Sequence, residues 1–114
     1  GALRRLLDGA AVHSAADELA TLLASARDLA VAGAAPVAVR LDPTLGAATI
    51  VAGGDTLQRA ALADDYGVRL TASRESTAFA ASGLGSGAAN LSAVLTRGAA
   101  AETLFVSRLG RVRW

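Results

Sequence analysis

The sequence predicts an α+β domain in which one long N-terminal amphipathic helix packs on antiparallel β-sheet. Three observations carry that expectation. Apolar residues recur at three- and four-residue steps through the first third of the chain. From Pro36 onward the period changes to two. Turn-forming stretches then punctuate the chain with no second long helical pattern between them. At 114 residues the chain is one domain by size, able to bury roughly two-thirds of its unfolded surface. Residues 1–35 read as the helix, and residues 36–114 as the β-rich part of the same domain.

The helical pattern runs from Leu3 to about Gly33. Leu3, Leu6, Leu7 and Ala10 are followed by Ala15, Leu19, Leu22, Leu23, Ala26 and Ala30, while Asp17, Glu18, Thr21, Ser25 and Asp28 occupy the other side. Gly9 weakens the helix by about 1 kcal/mol. Ser14 and Asp17 form a capping-box pair if the helix restarts there, so a break between residues 9 and 14 is one reading. Gly33 and Pro36 supply the stop signal.

In "VAVRL", Val37, Val39 and Leu41 alternate with Ala38 and Arg40; "DPTLG" then turns the chain into "AATIVA", which is a hairpin signal. Further strands are expected over 56–61, 68–72, 77–81, 91–96 and 103–107, for about seven in all. Turns are expected at "GGD" (53–55), "DDYG" (64–67) and "SGLGSG" (82–87). No internal repeat is evident.

Composition narrows the function classes. There is no cysteine, hence no disulfide framework and no thiolate metal site. Eleven basic residues, all arginine, face ten acidic ones for a net charge of +1. That balance lacks the global positive field of a dedicated nucleic-acid binder. No window approaches the roughly 18 charge-free apolar residues of a membrane span, and "GALRRLLDG" places charges where a signal peptide carries its apolar stretch. The core must be built mainly from Ala, Val and Leu, because Met is absent and only four residues are aromatic.

Catalytic and cofactor chemistry finds little footing. His13, the single histidine, adjoins Ser14 on the helix, and neighbouring helical side chains diverge, so a solvated or packing role fits it. Asp64 and Asp65 are turn formers, and no set of metal ligands is flagged. "GLGSGA", residues 83–88, formally fits a dinucleotide-binding glycine pattern. The pattern requires a helix and a parallel βαβ unit after it, whereas "NLSAVLTRG" alternates like a strand, so a loop is expected and no cofactor.

The concentrated feature is "VSRLGRVRW", residues 106–114. From Arg97 to Trp114 there are four arginines (Arg97, Arg108, Arg111 and Arg113) against the single acid Glu102. If "RVRW" is extended, Arg111 and Arg113 share one face about 6.6 Å apart, with Val112 and Trp114 on the other. Two guanidinium groups so placed can each hold a phosphate of one nucleic-acid strand. The plainer alternative is a solvated strand face with Val112 and Trp114 closing the core.

Three stretches in order, "ADELATLLASARDLAVAGAAPVAVRL" (16–41), "TAFAASGLGSGAANLSAVLT" (77–96) and "LFVSRLGRVR" (104–113), resemble the H-type minor pseudopilins of type II secretion and the related FimT minor type IV pilins. The likeness spans nearly the whole chain. It implies a type IV pilin-like fold and a non-enzymatic structural subunit that initiates or caps a filament. It also implies a prepilin leader and an apolar segment preceding Leu3, which anchor the protein in the bacterial inner membrane with this domain in the periplasm. Its partners would be other minor and major pilin or pseudopilin subunits. A filament-packing helix face would draw on Leu3, Leu6, Leu7, Leu19, Leu22, Leu23 and Ala26, with the N-terminal half in the filament core and the stripe from about Ala15 to Ala30 on the sheet. The FimT branch is associated with DNA binding during natural transformation. Its Gly-Arg-x-Arg ending matches Gly110, Arg111, Val112 and Arg113, so DNA is the alternative partner, held by Arg111 and Arg113 with Arg108 and Arg97 beside them. Trp114 departs from that motif; it either stacks on a base or packs.

Overall fold

A computed structural model describes residues 1–86 and 90–114. The end of the 83–88 glycine pattern and of the 82–87 turn therefore lies outside the described residues. Helix α1, Ala2–Gly33, is unbroken across Gly9 and Ser14. Its length, about 48 Å at 1.5 Å per residue, matches the molecule's longest dimension of 49 Å, the other two being 24 and 20 Å. The helix stays continuous through Gly9 because Val12, Ala15 and Ala16 directly behind it are fully packed, and tertiary burial outweighs a single glycine's propensity cost.

The stop differs in detail from the sequence expectation. Gly33 remains helical, and the left-handed residue is Ala34 (φ 50°), whose N–H turns back to the carbonyls of Ala30 and Val31. Pro36 then directs the chain into an extended conformation.

Two antiparallel sheets follow. The first, in the order β3-β2-β1-β5-β6, contains β1 (Val37–Asp42), β2 (Ala47–Ala52), β3 (Asp55–Ala61), β5 (Ser76–Phe79) and β6 (Gly85–Ser86). The second, in the order β4-β7-β8-β9, contains β4 (Arg69–Ala72), β7 (Leu91–Arg97), β8 (Ala100–Val106) and β9 (Val112–Arg113). The "DDYG" turn is instead a short helix, α2 (Leu62–Tyr66), pinned by buried Leu62 and closed by left-handed Gly67. All seven expected strands exist; two further ones are two residues long, β6, which no pattern marks, and β9, which lies within the "RVRW" stretch for which extended backbone is one reading.

The core lies between α1 and the inner faces of both sheets. From the helix come Val12, Ala15, Ala16, Leu19, Leu22, Leu23, Ala26 and Ala30; from the first sheet Val39, Ile50 and Phe79; from the second Leu70, Leu95, Leu104 and Val106. Alanines at four helix positions allow close approach of the sheets, and Phe79, wholly buried, is the largest side chain in the described core. Alternation fixes which residues of the second sheet face away: Leu91, Ala93 and Leu95 point inward on β7, so Ser92, Val94 and Thr96 point outward.

Candidate functional site

Two surfaces emerge from this arrangement, at opposite ends of the molecule. At the start of α1, Leu3, Leu6 and Leu7 are 70%, 70% and 56% exposed. Leu19, Leu22, Leu23 and Ala26 are enclosed by the chain's own sheets. The expected helix face therefore divides: its C-terminal part is intramolecular core, and its N-terminal leucines are open to other chains. Ala10 is exposed as well, and the residue that closes the buried stripe at this end is Asp8.

Asp8 is buried because Arg97 meets it. The Arg97 guanidinium places Nε 3.1 Å from the Asp8 carboxylate and donates from Nη1 to the carbonyl oxygen of Tyr66 at 3.0 Å. Gly98 approaches the same carboxylate so closely that a β-carbon would collide with it. One arginine thus ties the helix to α2 and to the β7–β8 turn. Arg97 is paired with Ala100 and Leu91 with Val106 along the hairpin, so Arg97 lies about 20 Å from the C-terminal arginines at 3.3 Å per residue.

The other three candidate arginines do come together. Ser107 to Gly110 form a tight turn, with the Gly110 N–H bonded to the Ser107 carbonyl and the Ser107 N–H to the Arg111 carbonyl, each at 2.9 Å. Phe105 and Val106 pair with Arg113 and Val112. Arg108, Arg111 and Arg113 are exposed, and among the described residues none of them forms an ion pair. Arg111 and Arg113 are both exposed on either side of Val112, which packs against the core.

The turn itself is held from behind. Arg27 of α1 donates from Nε to the carbonyl oxygen of Gly83 at 2.9 Å, and Gly85 donates to the carbonyl of Arg108 at 2.9 Å. Trp114 turns to the helix side, where its ring stacks on His13 with centroids 5.1 Å apart and planes 26° apart. His13 Nδ1 in turn lies 3.3 Å from the Glu102 carboxylate. Packing, the second of the two readings of Trp114, describes its position, although 48% of it stays exposed.

Two residues of this region had gone unremarked in the sequence. Arg27 carries no local signal of its contact with Gly83. Phe105 does carry one: it sits between inward Leu104 and Val106, so alternation sends it outward. There it is 46% exposed, with the Arg113 guanidinium 6.0 Å from its ring centroid.

Among the described residues no group of three or more His, Cys, Asp or Glu side chains converges as a metal site would require. No described helix is long and apolar enough to cross a membrane.

The sequence matches the family described as Type II transport protein GspH over residues 15–110. Among solved structures, the fold is similar to the type IV minor pilin FimU of Pseudomonas aeruginosa at 20% identity, covering 90% of this chain and 86% of that one with a TM-score of 0.74. A second crystal form of FimU gives 19% identity, coverage of 89% and 90%, and a TM-score of 0.72. The minor pseudopilin EpsH of Vibrio cholerae is similar at 13% identity, covering 90% of this chain and 94% of that one, with a TM-score of 0.69. No curated protein sequence matches. Because that match takes in most of the chain, from Ala15 in the helix stripe through β8 to Gly110, this chain belongs to the type II transport protein GspH family.

Proposed function

We propose that this domain is the periplasmic part of a minor subunit that helps initiate or cap a type II secretion pseudopilus or a type IV pilus, anchored in the inner membrane by an apolar segment preceding Leu3. The observation that carries the reading is the division of α1, because exposed leucines on a helix whose other half is sealed by its own domain are suited to helix packing in a filament. Sister pilin or pseudopilin subunits would supply the apolar surface that covers Leu3, Leu6 and Leu7.

Photo-crosslinking tests it. A crosslinker at Leu6, in cells expressing the neighbouring secretion or pilus genes, is expected to trap sister subunits. One at exposed Leu45, in the β1–β2 turn, is expected to trap none. Equal capture at both positions would defeat the assignment.

A second reading, DNA uptake, is favoured by the charge of Arg108, Arg111 and Arg113, which form no ion pair among the described residues. Phosphate contacts by these side chains predict binding without sequence preference and with steep salt dependence. Removing one phosphate contact should lower the slope of log affinity against log salt by about one. Binding that is undiminished in the Arg111→Ala/Arg113→Ala variant would leave the cluster as a solvated strand face. Arg97, committed to buried Asp8, is expected to contribute little.

A further inference from the structure

The outer face of the second sheet has a composition that the arginine motif alone does not explain. Strand registers place Arg69, Thr96 and Ala101 in one transverse row, then Thr71, Val94 and Thr103 in the next. Ser92, Phe105 and Arg113 make a third. The hydrogen bonds between Ser73 and Ser92 extend that third row to the β4 side. There Arg74 donates from Nε to the carbonyl of Asn90 at 3.1 Å. No acidic residue occupies this face among the described residues: Glu102 is on the helix side with His13, and Glu75 lines a separate groove with Arg40 and Thr49. In a chain of net charge +1, Arg113 thus stands at one end of the row that holds the exposed phenylalanine, and exposed Arg74 follows Ser73 at the other.

Distances along this row suit a polymer of alternating charge and flat rings. Four strands at about 4.8 Å spacing separate the Arg74 end from Arg113 by about 14 Å, with Phe105 between them. A groove of about 410 Å³ lies beside the ring, lined by Asn90, Ser92, Phe105, Ser107 and Arg113 among others. Duplex DNA keeps its base faces inside the stack, so an exposed ring in an arginine row gains contact only from unpaired bases.

We infer that the outer face of the second sheet is a platform for single-stranded nucleic acid, with Phe105 stacking on a base and Arg113 and Arg74 holding the flanking phosphates. The inference rests on the DNA reading above and narrows its partner. Trp114 takes no part, because it is on the opposite side of β9 against His13.

The test measures fluorescence anisotropy at low salt with two labelled probes, an oligothymidine of about a dozen nucleotides and a mixed-sequence duplex of the same length. The parent is expected to bind the single strand more tightly than the duplex. Phe105→Ala should weaken the single-strand complex about tenfold with duplex binding unchanged, and Phe105→Tyr should restore it. Phe105 is half exposed, so its removal leaves the core intact, and circular dichroism confirms the fold. Duplex binding with no effect of Phe105→Ala on either probe would overturn the platform while leaving the Arg111 and Arg113 clamp in place. An equal loss on both probes would also overturn it, since the ring would then only support Arg113. Binding of neither probe by the parent would overturn this inference and the DNA reading together.

Discussion

Gly110 lies against the carbonyl oxygen of Gly83 so closely that no β-carbon fits between them. The glycine of the Gly-Arg-x-Arg stretch is therefore fixed by a neighbour 27 positions earlier in the chain, and the arginines after it are aimed by that contact. Gly110 is also in the left-handed region at φ 74°, where a side chain is strained whatever the space. Gly110→Ala should cost about 2 kcal/mol or more from the backbone and the collision together. Chemical denaturation would show it. A cost below about 0.5 kcal/mol, within the range of ordinary surface substitutions, would mean that the turn relaxes freely.

The helix stop offers the opposite change. Ala34 holds φ 50° with its N–H turned to the carbonyls of Ala30 and Val31, at a cost of roughly 1 kcal/mol that glycine escapes. Ala34→Gly should raise stability by about 0.5 kcal/mol, the unfolded-state entropy of glycine offsetting part of the relief. A lower thermal midpoint would contradict this account.

Breaking the clamp between α1 and the β7–β8 turn should be expensive. Arg97→Ala strands the Asp8 carboxylate, itself only 8% exposed, and leaves the Tyr66 carbonyl without its donor. A loss of about 2 kcal/mol is expected, partly screened because Arg97 reaches solvent. The double variant Arg97→Ala/Asp8→Ala should recover part of it. If the losses simply added, the two side chains would not be coupled.

Tyr66, the single tyrosine, reports on the acidic side of α1. Burial pushes its phenol above the ordinary value of 10.0, and the charges of Glu18, Asp65 and Asp17 push it the same way. The unfolded chain then loses this proton first as pH rises. Stability is therefore unaffected below about pH 10 and falls as pH climbs through the folded value. The phenolate absorbance of the folded protein should titrate above 10.0, and Glu18→Gln should lower its midpoint. A midpoint indifferent to Glu18 would leave the shift to burial and to the charges of Asp65 and Asp17.

Much of the fold was legible because its signals are local. The 3.6-residue stripe from Ala15 to Ala30 and the alternation in β1, β2 and β7 depend on neighbours within one or two turns of chain. The start of β8 was harder to see, since Ala100 and Ala101 carry no alternation of their own and take strand geometry from Arg97 and Thr96 across the ladder. The left-handed stop lies at Ala34 rather than Gly33, where the Ala34 N–H meets the carbonyls of Ala30 and Val31.

By itself the sequence determined the helix-then-strand order, set by periodicity over short stretches, and it carried the family likeness in the order of residues 16–41, 77–96 and 104–113. Tertiary structure alone decided which arginines are free. Arg97 and Arg113 are alike in sequence as cations near strand ends, yet one is spent on Asp8 and the other stands over Phe105 in solvent. That difference depends on contacts between residues far apart in the chain. His13 meets Glu102 across 89 positions, and Arg27 meets Gly83 across 56. Such pairs are chosen by how α1 lies on the two sheets, because burial of the whole apolar stripe sets the helix's position and each polar contact follows from where that leaves it.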